Sequence, residues 1–211
     1  MSSLPLFSPL LGAARVIPVL TIETVAEAVP LARALHAGGI PVIEVTLRTK
    51  AALNACEAIA RECPEVVLGI GTVLTPAHVR QARDAGAKFL VTPGTSEKLG
   101  LAVAESGIAA LPGAGTVSEM VALMEMGFSE LKFFPAEAAG GIDYLKSVAG
   151  PLAELKFCPT GGITPANAGA YLALGNVMCV GGSWITPKAA LASGNWAEIT
   201  RLAAEAARLG R

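Results

Sequence analysis

Glycine punctuates this chain at a spacing that few architectures can use. Alanine- and leucine-rich stretches of helical character end at Gly38-Gly39, Gly86, Gly107, Gly127, Gly150 and Gly175, and a short strand-like apolar run follows each within a few residues. The unit recurs every ~20–25 residues, the size of one strand plus one helix. The strand-like runs are residues 16–20, 42–47, 66–70, 88–92, 108–111, 131–134, 155–158 and 177–180. Strands alternating with helices give a parallel sheet, either closed as a (β/α)8 barrel or open and doubly wound. Eight units in ~200 residues meet the lower size limit of the barrel, and an open sheet more often carries fewer strands with longer connections. We therefore expect a single-domain α/β chain, a (β/α)8 TIM barrel over residues 1–211 with a short N-terminal helical extension. Such a barrel carries its active site at the C-terminal ends of the strands, which gives each candidate residue a positional test.

Charge and cysteine content narrow the class. The formal net charge is -1 and the basic residues are scattered, so a nucleic-acid partner has no electrostatic footprint. The four cysteines show no Cys-x-x-Cys spacing, and Cys158 and Cys179 lie in apolar runs, as expected of a reduced, cytoplasmic chain. Residues 1–14 have no basic lead before their apolar positions, and no apolar run approaches the ~20 residues of a membrane span. Neither export nor membrane insertion is expected.

Within Glu130-Leu131-Lys132-Phe133-Phe134-Pro135 an ammonium interrupts a run that reads as a buried parallel strand. Burial disfavours the charged form of an amine, and a neutral amine attacks a carbonyl carbon to form a Schiff base. A strand-start lysine snorkelling to solvent would give the same letters. Glu154-Leu155-Lys156-Phe157-Cys158-Pro159 repeats the pattern, so the residues alone leave Lys132 and Lys156 equal.

In the second strand Ile43, Val45 and Leu47 alternate with Glu44, Thr46 and Arg48. Inside a parallel barrel neither face meets bulk water, so Glu44 and Arg48 must be paired with each other or functional. Glu44 is a candidate general base, and Arg48 at the strand end is placed to grip a carboxylate.

Two glycine turns follow the last two strands, Thr160-Gly161-Gly162-Ile163-Thr164-Pro165 and Gly181-Gly182-Ser183. Glycines let backbone amides approach an anion, Thr164-Pro165 reads as an N-cap and first helical residue, and these two loops commonly bind phosphate in such barrels. Gly71-Thr72 and Thr92-Pro93-Gly94 are weaker signals that turn chemistry alone would explain.

Four stretches together, Glu44-Val45-Thr46-Leu47-Arg48-Thr49, Gly71-Thr72-Val73-Leu74, Lys132-Phe133-Phe134-Pro135-Ala136-Glu137 and Cys158-Pro159-Thr160-Gly161-Gly162-Ile163, resemble the bacterial 2-keto-3-deoxy-6-phosphogluconate aldolases, some of which also cleave 4-hydroxy-2-oxoglutarate. The resemblance spans nearly the whole chain. It implies a trimeric class I aldolase that needs no cofactor and no metal. It picks Lys132 over Lys156 as the Schiff-base lysine and gives Glu44 the acid/base role. Arg48, Thr72 and Pro93 match positions that contact the pyruvyl half, Phe134 an aromatic that lines the site, and Thr160 its polar end. Gly161, Gly162, Gly182 and Ser183 match the phosphate end, with Arg15 a further anion contact.

Three other readings remain at this point. A metal-dependent aldolase needs hard or imidazole ligands, and His36 and His78 sit apart in helix-like segments. A phosphosugar isomerase or decarboxylase would share the phosphate loops without a covalent lysine. A sugar-phosphate binding protein would bind without releasing pyruvate.

Overall fold

The computed structural model describes residues 4–209, so the first three residues of the N-terminal stretch and residues 210–211 lie outside it. The elements run α1 (Ser8–Leu11), β1 (Val16–Leu20), α2 (Val25–Ala37), β2 (Val42–Thr46), α3 (Ala52–Glu62), β3 (Val67–Gly71), α4 (Pro76–Asp84), β4 (Phe89–Val91), α5 (Glu97–Glu105), β5 (Ala109–Leu111), β6 (Gly113–Ala114), α6 (Val117–Glu125), β7 (Glu130–Phe133), α7 (Gly141–Val148), β8 (Lys156–Pro159), α8 (Pro165–Leu172), β9 (Val180–Gly182), α9 (Lys188–Ala192) and α10 (Trp196–Ala206). Among these none is long and apolar enough to cross a membrane as a helix.

Local chemistry sets the helix ends. Thr24 with Glu27, Thr116 with Glu119 and Thr164 with Asn167 form reciprocal capping boxes at the starts of α2, α6 and α8. Three helices also finish alike. The amide of Ile40 donates to the carbonyl of Leu35 (3.1 Å), that of Ala87 to Ala82 (3.0 Å) and that of Phe128 to Leu123 (3.0 Å). Each bond spans a glycine at positive φ, Gly39 at 86°, Gly86 at 90° and Gly127 at 92°. Only glycine adopts that turn without a Cβ penalty, so the glycine rhythm of the sequence is the rhythm of helix ends.

All strand pairings are parallel, in two hydrogen-bonded groups ordered β5-β4-β3-β2-β1-β9 and β6-β7-β8. The sheet curls, with helices on its outer side. Two expectations need correction. The fifth run, expected at 108–111, is followed by a further short strand: β5 ends at Leu111 and β6 resumes at Gly113, because Pro112 between them has no N–H to donate, although its carbonyl still accepts the Lys132 amide at 2.9 Å. The last strand begins at Val180 rather than 177, because the segment changes partner. Val177 forms an isolated bridge with Phe157 of β8, whereas Val180 begins the ladder with β1.

Apolar side chains fill two layers. The larger lies between helices and sheet and includes Leu31, Leu35, Ile43, Ile59, Leu131, Phe133 and Phe157. The smaller lies within the curl toward the strand N-termini and includes Phe7, Leu11, Ile17, Val42, Phe89, Cys158 and Cys179. Phe7, fully buried, stacks at a tilt on Phe89 with ring centroids 4.7 Å apart. The buried carboxylate of Glu130 accepts the amides of Phe7 (2.5 Å) and Ser8 (3.0 Å), which fastens α1 across that end. Arg15, Gly39 and Ala207 meet at the same end around a cavity of about 100 Å³.

Candidate active site

Lys132 is the third residue of β7, in register with Gly113 on β6 and Cys158 on β8. Strand alternation turns its neighbours Leu131 and Phe133 to the outer core, where Phe133 stacks on Tyr144 at 5.2 Å and meets Phe157 edge-on. Lys132 therefore points into the curl. It is buried, with Nζ 3.4 Å from Oε1 of Glu44 and 5.3 Å from the centroid of the Phe134 ring.

Glu44 comes from the middle of β2, flanked on the same face by Val42 below and Thr46 above. Its carboxylate passes over Gly71, the last residue of β3, where any side chain would occupy the same space. Thr46 is buried and donates to the carbonyl of Leu20 at 2.8 Å. Arg48 does not pair with Glu44. The Arg48 Nε instead donates to Oγ1 of Thr72 at 3.3 Å. Thr72 holds φ at 58°, a conformation that costs a β-branched residue roughly 1–3 kcal/mol and one that neighbouring contacts must enforce. Just past β4, Thr92 Oγ1 accepts the Gly113 amide at 2.8 Å and is hydrogen-bonded to Thr95 Oγ1 at 2.7 Å, which fixes the Pro93 turn.

Beside the Lys132–Glu44 pair opens a cavity of about 860 Å³; Phe134, whose ring centroid is 5.3 Å from Lys132 Nζ, belongs to its lining, while Lys132 and Glu44 themselves lie buried behind it. Arg48, Phe134 and Thr160 line it, together with Gly161, Gly162, Gly182 and Ser183. Gly161 and Gly162 hold φ at 100° and 81°, as a turn needing glycine should. Gly181 leaves room for Thr160, whose Oγ1 would lie 2.3 Å from a Cβ there. Pro93 lines a separate, shallower cleft that shares Phe134 with the main cavity. A buried amine beside a carboxylate, at the strand C-termini and behind a glycine-walled cavity, has the parts for carbonyl addition and proton transfer.

Residues 8–202 match the family model described as KDPG and KHG aldolase. The chain belongs to this aldolase family. Among its relatives, the KHG/KDPG aldolase of Escherichia coli strain K12 is 50% identical over 191 residues, covering 90% of each chain. The KDPG aldolase of Legionella pneumophila, solved with pyruvate captured at low pH as a covalent carbinolamine, superposes with a TM-score of 0.91 at 46% identity, over 93% of this chain and 96% of that one. The aldolase of Zymomonas mobilis ZM4, solved with 3-phosphoglycerate, gives a TM-score of 0.90 at 44% identity, over 96% and 95%.

Two placements on this aldolase chain need comment. Arg15 is not at the cavity: it precedes β1, so it lies at the N-terminal ends of the strands, and its guanidinium donates to the carbonyl of Leu172 at 3.2 Å. An anion contact at the other rim is out of its reach. Lys156 opens β8 and is exposed, with Nζ donating to the carbonyl of Gly175 at 2.9 Å. The sequence reading also missed Lys188, Glu23 and Thr21 on the cavity wall. Lys188 lies just beyond Gly181-Gly182-Ser183, and its nearness to that turn was the available signal. Glu23 and Thr21 follow β1, where no glycine marks the loop.

Proposed function

We propose that this protein is a Schiff-base aldolase that cleaves 2-dehydro-3-deoxy-6-phosphogluconate to pyruvate and glyceraldehyde 3-phosphate, and 4-hydroxy-2-oxoglutarate to pyruvate and glyoxylate. The observation that carries this reading is the buried Lys132 Nζ at 3.4 Å from Glu44, at the C-terminal side of the curled sheet. Glu44 takes a proton from the ammonium, and the freed amine adds to the C2 ketone to give a carbinolamine. Glu44 returns that proton to the carbinolamine hydroxyl, whose departure as water leaves a protonated imine, an electron sink, with Glu44 again a carboxylate. Glu44 then removes the C4 hydroxyl proton, directly or through water, and the C3–C4 bond breaks. Glyceraldehyde 3-phosphate departs, the enamine takes a proton back at C3 from the same carboxyl group, and hydrolysis releases pyruvate.

In this scheme Arg48, Thr72 and Pro93 hold the pyruvyl carboxylate end, Phe134 packs on the carbon chain, and Thr160 meets its hydroxyls. Gly161, Gly162, Gly182 and Ser183 receive the phosphate, with no cofactor or metal in any step. The curl reads as one closed (β/α)8 barrel spanning residues 1–211, with β5 and β6 as a single strand interrupted at Pro112 and the Phe157–Val177 and Thr160–Gly181 bridges supporting closure beside β8. Helix α1 is its N-terminal extension. The family resemblance supports a homotrimer, and four free cysteines suit the reducing cytoplasm.

Incubation with pyruvate and borohydride followed by peptide mapping tests the reading. A reduced adduct on Lys132 is expected. One on Lys156 would overturn the residue assignment, and none on any lysine would overturn the Schiff-base mechanism.

A further inference from the structure

The loop after β7 carries an acidic residue, Glu137, that the scheme above leaves without a part. Its Oε1 accepts the hydroxyl proton of Tyr171, a fully buried residue near the end of α8. Burial and the Glu137 carboxylate both push the Tyr171 hydroxyl above the ordinary phenol range, so it remains a donor. The same stretch is joined to the glycine turn of the next loop. The Ala136 amide donates to the Thr160 carbonyl at 2.8 Å and the Glu137 amide to the Gly161 carbonyl at 3.1 Å. Gly162 packs flat on the Glu137 stem, where a Cβ would come within 2.5 Å of Cγ. Gly161 and Gly162 have no side chains of their own to anchor them, and glycine is the residue whose backbone is least restricted. The shape of their turn is therefore set by what it touches.

We infer that the Glu137–Tyr171 hydrogen bond is a positioning device that holds the Gly161–Gly162 turn, and with it the phosphate end of the cavity, in register with the Lys132–Phe134 end. The inference rests on the aldolase reading. Lys132 and Glu44 stand on strands and do not depend on this bond. Losing it broadens the turn, and a phosphorylated substrate must then bear the cost of ordering it on binding. A keto acid without phosphate makes no use of the turn.

The test compares Tyr171→Phe, Glu137→Ala and Glu137→Gln with the unaltered protein on 2-dehydro-3-deoxy-6-phosphogluconate and on 4-hydroxy-2-oxoglutarate, with amide hydrogen exchange across residues 161–163 measured alongside. Tyr171→Phe and Glu137→Ala should raise KM for the phosphorylated substrate by ~3- to 10-fold with kcat unchanged, leave KM for the short substrate alone, and speed exchange in the turn. Glu137→Gln keeps an acceptor for the hydroxyl and should behave as the unaltered protein. Equal losses on both substrates, an unchanged KM in Tyr171→Phe, or failure of Glu137→Gln to preserve binding would overturn the inference. If the unaltered protein turns over neither substrate, the aldolase reading fails, and the exchange rates alone then decide whether the bond holds the turn.

Discussion

Gly71 and the Glu44 carboxylate compete for one space: a Cβ built on Gly71 lies 2.0 Å from Oε1 and 2.6 Å from the carboxyl carbon. Gly71→Ala must push the carboxylate off its line to Lys132, since the strand backbone beneath cannot yield. The chain should still fold, because the displaced group is the end of a side chain. A shift of ~1 Å in a reacting group is worth about 10²-fold in rate, and kcat in this variant should fall by that order with the circular dichroism spectrum intact. A kcat within about threefold of the parent would mean that the carboxylate's location matters little.

Changing the partners of the buried pair one at a time should cost stability as well as rate. Lys132→Met should abolish turnover and borohydride trapping together. Glu44→Gln should slow turnover by ~10²- to 10⁴-fold while pyruvate remains trappable on Lys132. Each single change leaves a buried charge without its counterpart, at about 3–5 kcal/mol, and the double variant Lys132→Met with Glu44→Gln should regain part of that loss. Urea unfolding of the four proteins reads the coupling directly.

Alkaline conditions should weaken the fold through its thiols. Burial, with Glu57 adding, pushes the Cys56 thiol up to about 12, and burial raises Cys179 well above the usual range. An unfolded thiol ionises near its ordinary value of about 8.5, so above that pH the unfolded chain binds fewer protons than the folded one and stability falls as pH rises. The slope approaches about 1.4 kcal/mol per pH unit for each such thiol, until its folded-state value is passed. Denaturant midpoints at pH 8 and pH 11 should show the decline, and Cys56→Ala should reduce it. A flat profile would contradict the burial argument.

Arg15→Ala should separate the two rims of the sheet. With its guanidinium on the Leu172 carbonyl, this residue stabilises the N-terminal end and does not reach the cavity. Removing it should lower stability by about 1 kcal/mol and leave KM for the phosphorylated substrate within about twofold. A large rise in KM would restore Arg15 as an anion contact.

The glycine spacing made the alternation of strands and helices legible because the Schellman-type helix end needs a residue free to take positive φ, and the chain supplies Gly39, Gly86 and Gly127 there. Lys132 and Lys156 could not be told apart by local pattern because sheet stagger is not written locally. The ladder pairs Lys132 with Cys158 and Lys156 with Glu130, so equivalent letters in the two segments stand two positions apart in height. One lysine is thereby buried beside Glu44 and the other exposed at the strand start. Arg15 was misplaced for a different reason: the run at 16–20 already set it before the first strand, at the N-terminal rim, and only the family resemblance put it with the phosphate. The cavity wall at Thr21, Glu23 and Lys188 stayed hidden because side chains brought together from loops far apart in sequence leave no periodic signature.

The grouping of Arg15, Gly39 and Ala207, with Phe7 fastened by Glu130 at the same end, has a practical corollary. Both ends of the described chain emerge on the side of the sheet away from the cavity mouth. Tethering the protein to a bead or an electrode by either end would therefore leave the mouth facing solution, and the immobilised catalyst should keep the substrate access of the free one.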